Sequence, residues 1–189
     1  MNLPNKLSIL RIALIPVMIA LFYITAIPYN YVFSAVVFLL AALTDFLDGY
    51  IARKYNLITD FGKFLDPIAD KILVLSAFVI MLTNRYSFGG NISDLIYQLS
   101  GGIGVALIIA REMTVSVLRM VAASKNRVLA ADKSGKAKTF VTDIAVLLLM
   151  LSLEFYVLTI PALIFYGVAV VLTVYSGVNY VVKNKDVLQ

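Results

Sequence analysis

The 189-residue chain has no cysteine and no histidine. Without cysteine there is neither a disulfide nor a thiolate site. Without histidine, zinc-type centres and Ser-His or Cys-His nucleophile pairs are excluded. Any metal must be held by oxygen ligands, and any general base at neutral pH must be a carboxylate, a tyrosine or a lysine. Charge is also scarce: 14% of residues are Asp, Glu, Lys or Arg, against 61% hydrophobic. With a mean hydropathy of +0.93, a soluble domain of this length has too little interior to hide its apolar side chains. The bilayer is the expected solvent.

Apolar stretches fall at 8–27, 31–53, 62–84, 97–122, 139–158 and 161–182. Each approaches the ~20 residues that a helix needs to cross ~30 Å of hydrocarbon. The first contains Arg11 and is followed by no small-residue cleavage site, so it reads as a retained helix with Arg11 snorkelling to the surface. Breaks are expected at "AIPYN" (26–30), at "NRYSFGGNISD" (84–94) and before Pro161. The expected fold is an all-α polytopic membrane protein, a bundle of six transmembrane helices forming one domain over residues 1–189. Of the sixteen Lys and Arg residues only Arg85 falls on the side opposite the termini. The positive-inside rule then puts both termini and the basic side in the cytosol. The surplus of basic residues, net charge +5, is explained by this topology and by anionic membrane lipids, with no nucleic-acid partner.

Four acids stand out against this background. Asp45 and Asp48 are three apart, Asp66 and Asp70 four apart, so each pair projects from one helix face. A turn through Lys54–Asp60 reverses the chain and brings the pairs together near the cytosolic mouth. Asp45 lies roughly 21 Å along a helix from Tyr31, just below the inner interface. Pairing with Arg53, Lys54, Lys63 and Lys71 accounts for one or two of these acids. Four converging carboxylates repel one another unless a cation intervenes. Hard oxygen ligands select Mg2+, with Mn2+ or Ca2+ as alternatives. Four carboxylates can bridge two ions, a usual device for displacement at phosphorus. Gly49, Ala52 and Gly62 let backbone or ligand approach closely, although helix packing alone accounts for a single glycine. Arg53 offers a planar donor to phosphate.

The stretch Asp45-x2-Asp48-Gly49-x2-Ala52-Arg53-x8-Gly62-x3-Asp66-x3-Asp70 resembles the signature of the CDP-alcohol phosphotransferase family at all eight fixed positions. The resemblance implies a polytopic, homodimeric enzyme that moves a phosphatidyl group from CDP-diacylglycerol, or a phosphobase from a CDP-alcohol, to an acceptor alcohol. It implies that Asp45, Asp48, Asp66 and Asp70 ligate two metal ions, that Asp70 is also the base, and that Gly49, Ala52 and Arg53 line the CDP pocket, with Gly62 beside them.

The acceptor must be read elsewhere. "REMTVSVLR" sets Arg111 and Arg119 on a shared helix face, and "DKSGKAKTF" adds Lys133, Lys136, Lys138 and Thr139. A phosphorylated soluble acceptor needs such a cluster, whereas serine or choline does not. For Lys125 and Arg127 the topology belt suffices. Both segments, and the opening Pro4, Asn5, Leu7, Ser8 and Arg11, resemble the branch of the family whose acceptor is glycerol 3-phosphate. That resemblance places Asn5 and Ser8 with the CDP-diacylglycerol site and the basic residues with glycerol 3-phosphate. Inositol phosphate would suit the same pocket, and phosphatidylglycerol is a further acceptor within the family. A transporter is the rival from outside enzymology, but it predicts mid-membrane acids and related halves. "SGGIGVA" (100–106) lacks a preceding strand and reads as a close-packing helix surface, not a dinucleotide loop.

Overall fold

The computed structural model describes residues 2–55, 60–125 and 133–187. They form an all-α bundle: α1 (Leu3–Tyr23), α2 (Asn30–Lys54), α3 (Asp60–Leu82), α4 (Asp94–Tyr97), α5 (Val105–Ser124), α6 (Lys133–Leu151) and α7 (Thr159–Lys183). A π-helical segment, Gln98–Gly104, joins α4 to α5 with helical dihedrals at both junctions, so 94–124 runs as one rod. Six long rods therefore alternate in direction, and no strand occurs among the described residues.

Helix is the expected answer to long apolar runs, because it satisfies backbone donors and acceptors within the segment. α1 is capped by Asn2, whose side chain accepts from the Asn5 backbone N–H, and Pro4 sits in its first turn, where a missing N–H is harmless. The chain turns over 24–29, with Tyr29 in the left-handed region (φ 58°). Asn30 then donates to the Leu21 and Phe22 carbonyls and Ser34 to that of Met18, closing the α1–α2 hairpin. The core runs through all the rods, with Met18, Phe38, Phe78, Ile108, Leu149 and Tyr166 buried.

Two stretches among the described residues, Asn5–Tyr23 and Tyr156–Lys183, are long and apolar enough to cross a membrane; Asn30–Asp45 is a shorter apolar helix. The other rods carry most of their charged residues toward one end, which breaks the continuous apolar window: Asp45 to Lys54 in α2, Asp60 to Lys71 in α3, Arg111 to Arg119 in α5 and Lys133 to Asp143 in α6.

Two expectations need correction. The helix expected at 139–158 is α6, which starts at Lys133 and ends at Leu151. Residues 152–155 turn, and a short 3-10 segment leads into α7 at Thr159, ahead of Pro161. Hydropathy marks where lipid contact begins, not where a backbone becomes helical, and the polar "KSGKAK" forms the first turns. Arg11, expected to snorkel, is instead fully buried. Its Nη1 lies 2.8 Å from Asp45 Oδ1 on α2, and its Nε donates to Thr44 Oγ1 at 3.4 Å. A carboxylate one helix away gives the guanidinium a partner without a route to the surface.

Candidate active site

α2 ends at Lys54 and α3 begins at Asp60, so the reversal lies where the spacing of the acids requires it. Asp45 and Asp48 stand near the end of α2, Asp66 and Asp70 near the start of α3, on adjacent and opposed helices. Asp70 is within electrostatic reach of Asp45, Arg11, Lys138 and Glu112. Asp45 stays 44% exposed despite its pairing with Arg11. The side chains of Asp48, Gly49, Ala52, Arg53, Asp66, Lys133 and Lys136 lie outside the described ones; their helices place them at the same end of the bundle. Arg127 lies outside the described residues altogether. Among the described residues no three acids gather as a metal site, a statement that does not reach Asp48 or Asp66. What is described suits a hard cation: the donors are carboxylate oxygens, and no histidine or cysteine competes.

The first turns of α1 lie at this end too. Asn5 and Ser8 are buried there, about two turns and one turn from Arg11 of the Arg11–Asp45 pair. Gly62 is buried on α3.

The basic residues converge from α5 and α6. Arg111 and Arg119 share the α5 face turned to α7: Arg111 Nη2 donates to Ser176 Oγ at 3.1 Å, and Arg119 Nε donates to Tyr180 Oη at 3.1 Å, its guanidinium lying over that ring. Arg119 remains exposed, whereas Arg111 is largely covered. Lys138 is buried, and its ammonium donates to Glu112 on α5. Thr139 turns its hydroxyl back to the Gly135 carbonyl. Lys71, next to Asp70, donates to Ser116 Oγ on α5. Arg111 and Lys138 are thus linked through Glu112, Asp70 is within electrostatic reach of Lys138, and Arg119 stands two turns along α5 from Arg111.

Two acids enter the site that spacing arguments on the four aspartates did not single out. Glu112 binds both Lys138 and Arg111. Asp143, one turn beyond Thr139 on α6, is within electrostatic reach of Asp70, Lys138 and Asp45. The sequence signal for Asp143 was available: an acid at the start of the apolar part of a helix needs a partner.

The opposite end of the bundle is chemically different. Asn84 donates to Tyr31 Oη, and Tyr23 and Thr83 share a hydrogen bond. Arg85 pairs with Asp94 at the surface. No described acid from the signature reaches that end.

The family model of CDP-alcohol phosphatidyltransferases matches residues 1–175. A Bacillus subtilis protein named CDP-diacylglycerol–glycerol-3-phosphate 3-phosphatidyltransferase is 39% identical, covering 100% of this chain and 97% of its own. Relatives of the same name from Rickettsia bellii and Salmonella choleraesuis are 42% and 34% identical, each covering 95% of this chain and 93% and 92% of their own.

Proposed function

The chain belongs to the CDP-alcohol phosphatidyltransferase family, and on that premise we propose that it transfers the phosphatidyl group of CDP-diacylglycerol to the C1 hydroxyl of sn-glycerol 3-phosphate. The products are phosphatidylglycerophosphate and CMP. The observation that carries the choice of acceptor is the convergence of Arg111 and Lys138 on Glu112, with Lys138 within electrostatic reach of Asp70, a basic site for a second phosphate in a chain whose near-full-length relatives bear that enzyme's name.

Asp45, Asp48, Asp66 and Asp70 would hold two Mg2+ or Mn2+ ions. A metal pair held by these carboxylates would supply positive charge against the pyrophosphate and the departing CMP. Gly49, Ala52, Arg53 and Gly62 receive the CDP head, together with Asn5 and Ser8 of α1. Asp70 takes the proton from the acceptor hydroxyl, whose oxygen attacks the lipid-side phosphorus as the bond to CMP breaks. Arg111, Arg119, Lys133, Lys136, Lys138 and Thr139 hold the acceptor phosphate. One of the Arg111 donors, Nε, is buried with no partner among the described residues, which suits a ligand still to be met. A covalent phospho-enzyme is disfavoured, because the carboxylates serve as ligands and no histidine exists.

The six rods would span the membrane with both termini and the catalytic end in the cytosol, the chain acting as a homodimer. The abundance of large apolar side chains exposed along α1, α2 and α7 supports a lipid-facing exterior.

Radiolabelled CDP-diacylglycerol offered in parallel with glycerol 3-phosphate, inositol phosphate, serine or phosphatidylglycerol tests the reading. Product is expected with glycerol 3-phosphate alone. Transfer to serine in preference would remove the phosphate pocket from the account. Replacing a true phosphate contact among Arg111, Arg119, Lys133, Lys136 and Lys138 with Ala should lower kcat/KM for the acceptor roughly ten- to a hundredfold, the equivalent of about 1.5–3 kcal/mol. The donor KM should scarcely move.

A further inference from the structure

Glu112 sits where α5, α6 and α7 meet. Its Oε1 accepts from Lys138 Nζ on α6 and from Arg111 Nη1 at 2.9 Å. The three side chains are nearly covered, with exposures of 14%, 8% and 13% for Glu112, Lys138 and Arg111. One carboxylate oxygen therefore serves two cations from two helices in a half-dry setting, where charge-assisted hydrogen bonds are strong.

Neither cation would take its position unaided. Neighbouring residues on a helix point in different directions, so Arg111 must turn its guanidinium to reach the residue after it. It is held in that turn by Glu112 on one side and Ser176 on the other, and its stem passes so close to Gly177 that a Cβ there would lie 2.6 Å from Arg111 Cγ. Lys138 has competing partners, since Asp70 and Asp143 are also within its electrostatic reach. An ammonium on a flexible four-carbon stem goes to whichever carboxylate is best placed. Glu112 takes it, and so leaves Asp70 unclaimed by Lys138. Two cations share one carboxylate, so Glu112 by itself does not neutralise both.

We propose that Glu112 is a positioning residue of the acceptor site: it aligns Lys138 and Arg111 for the acceptor's phosphate and keeps Lys138 off the base, Asp70. The proposal rests on the phosphorylated-acceptor reading above.

The test uses the full chain in mixed micelles with CDP-diacylglycerol. Glu112→Gln keeps the shape and removes the charge. It should raise the KM for glycerol 3-phosphate roughly tenfold, in line with loss of a charged hydrogen bond, while the CDP-diacylglycerol KM stays within about twofold. With plain glycerol, which has no phosphate to be held, the penalty on kcat/KM should shrink. Glu112→Asp should recover part of the loss. Glu112→Gln combined with Lys138→Met should cost scarcely more than Lys138→Met alone, because the two act as a unit.

A purely structural role would lower turnover equally with both acceptors and disturb both KM values, and that result overturns the proposal, as does a Glu112→Gln enzyme with wild-type kinetics. Should Glu112→Gln fail to fold, the Asp variant carries the test, and an unchanged glycerol 3-phosphate KM there is equally fatal. The two readings fail separately. If the wild type prefers another phosphorylated alcohol, the choice of glycerol 3-phosphate is wrong, but the KM split must still appear with that acceptor. If it prefers an alcohol without phosphate, both readings fall.

Discussion

Asp45 and Asp70 belong to one signature but stand in different surroundings, and substitution should separate them. Asp45 is the partner of a fully buried guanidinium, 2.8 Å away. Asp45→Asn removes that charge and leaves Arg11 with a weaker partner, at a cost of about 1–3 kcal/mol. Asp70 faces Asp45 and Glu112 as well as Arg11 and Lys138, so Asp70→Asn relieves repulsion as it removes attraction. In chelator, thermal melting in detergent should fall clearly for Asp45→Asn and much less for Asp70→Asn; equal losses would mean that the Arg11 pair adds nothing to stability. Activity should need added Mg2+ or Mn2+ and should drop by orders of magnitude in Asp45→Asn, Asp48→Asn and Asp66→Asn. Full activity in chelator would end the two-metal reading. Asp70→Asn should abolish turnover, as loss of a base worth ~10²–10⁴-fold would, yet leave CDP-diacylglycerol binding largely intact. Collapse of donor binding would make Asp70 a ligand first.

At the scale of elements, close approach between helices decides which glycines matter. A Cβ on Gly104 would fall 2.5 Å from Tyr166 Oη, the hydroxyl that donates to the Ser100 carbonyl at 2.7 Å and pins the π segment to α7. Gly104→Ala should therefore destabilise the bundle by about 1–3 kcal/mol through overpacking, read as a lower Tm, with kcat per folded molecule preserved. Gly177→Ala meets the Arg111 stem instead, and should raise the KM for glycerol 3-phosphate more than it lowers Tm. On the same helix Gly167 has nothing within 4 Å of the added carbon, so Gly167→Ala should be neutral in both assays. If Gly104→Ala melted like Gly167→Ala, the tight seam between the π segment and α7 would be discounted.

The whole molecule is polarised end to end. Arg11, Asp45, Asp70, Glu112 and Lys138 meet at one end; the Tyr31–Asn84 and Tyr23–Thr83 contacts and the Arg85–Asp94 pair occupy the other. A chain without cysteine makes the membrane orientation easy to test. Tyr86→Cys, in the exposed turn between α3 and α4, should react with a membrane-impermeant maleimide on intact cells. Lys54→Cys and Lys125→Cys, at the other end, should react only after permeabilisation. Labelling of all three from outside would overturn the cytosolic site and the six-span topology together.

Much of this was legible in residue order. Composition and run length imply six rods, because an apolar backbone has few ways to satisfy its hydrogen bonds. The three- and four-residue spacings put each pair of acids on one face, and the seven-residue reversal from Lys54 to Asp60 put the pairs on adjacent helices; these are properties of the helix repeat, local in sequence. Arg111 and Arg119 could be assigned a shared face for the same reason, though not the face that meets Ser176 and Tyr180 of α7. What only the tertiary structure decided are the pairings between distant segments. Arg11 looked like a snorkelling residue because its partner is 34 positions away on another helix. Glu112 looked like one more charge beside an arginine until α6 brought Lys138 against it across 26 positions. Helical periodicity determines which residues share a face of one rod; which faces then meet depends on how six rods pack, and that set which cation answers which carboxylate.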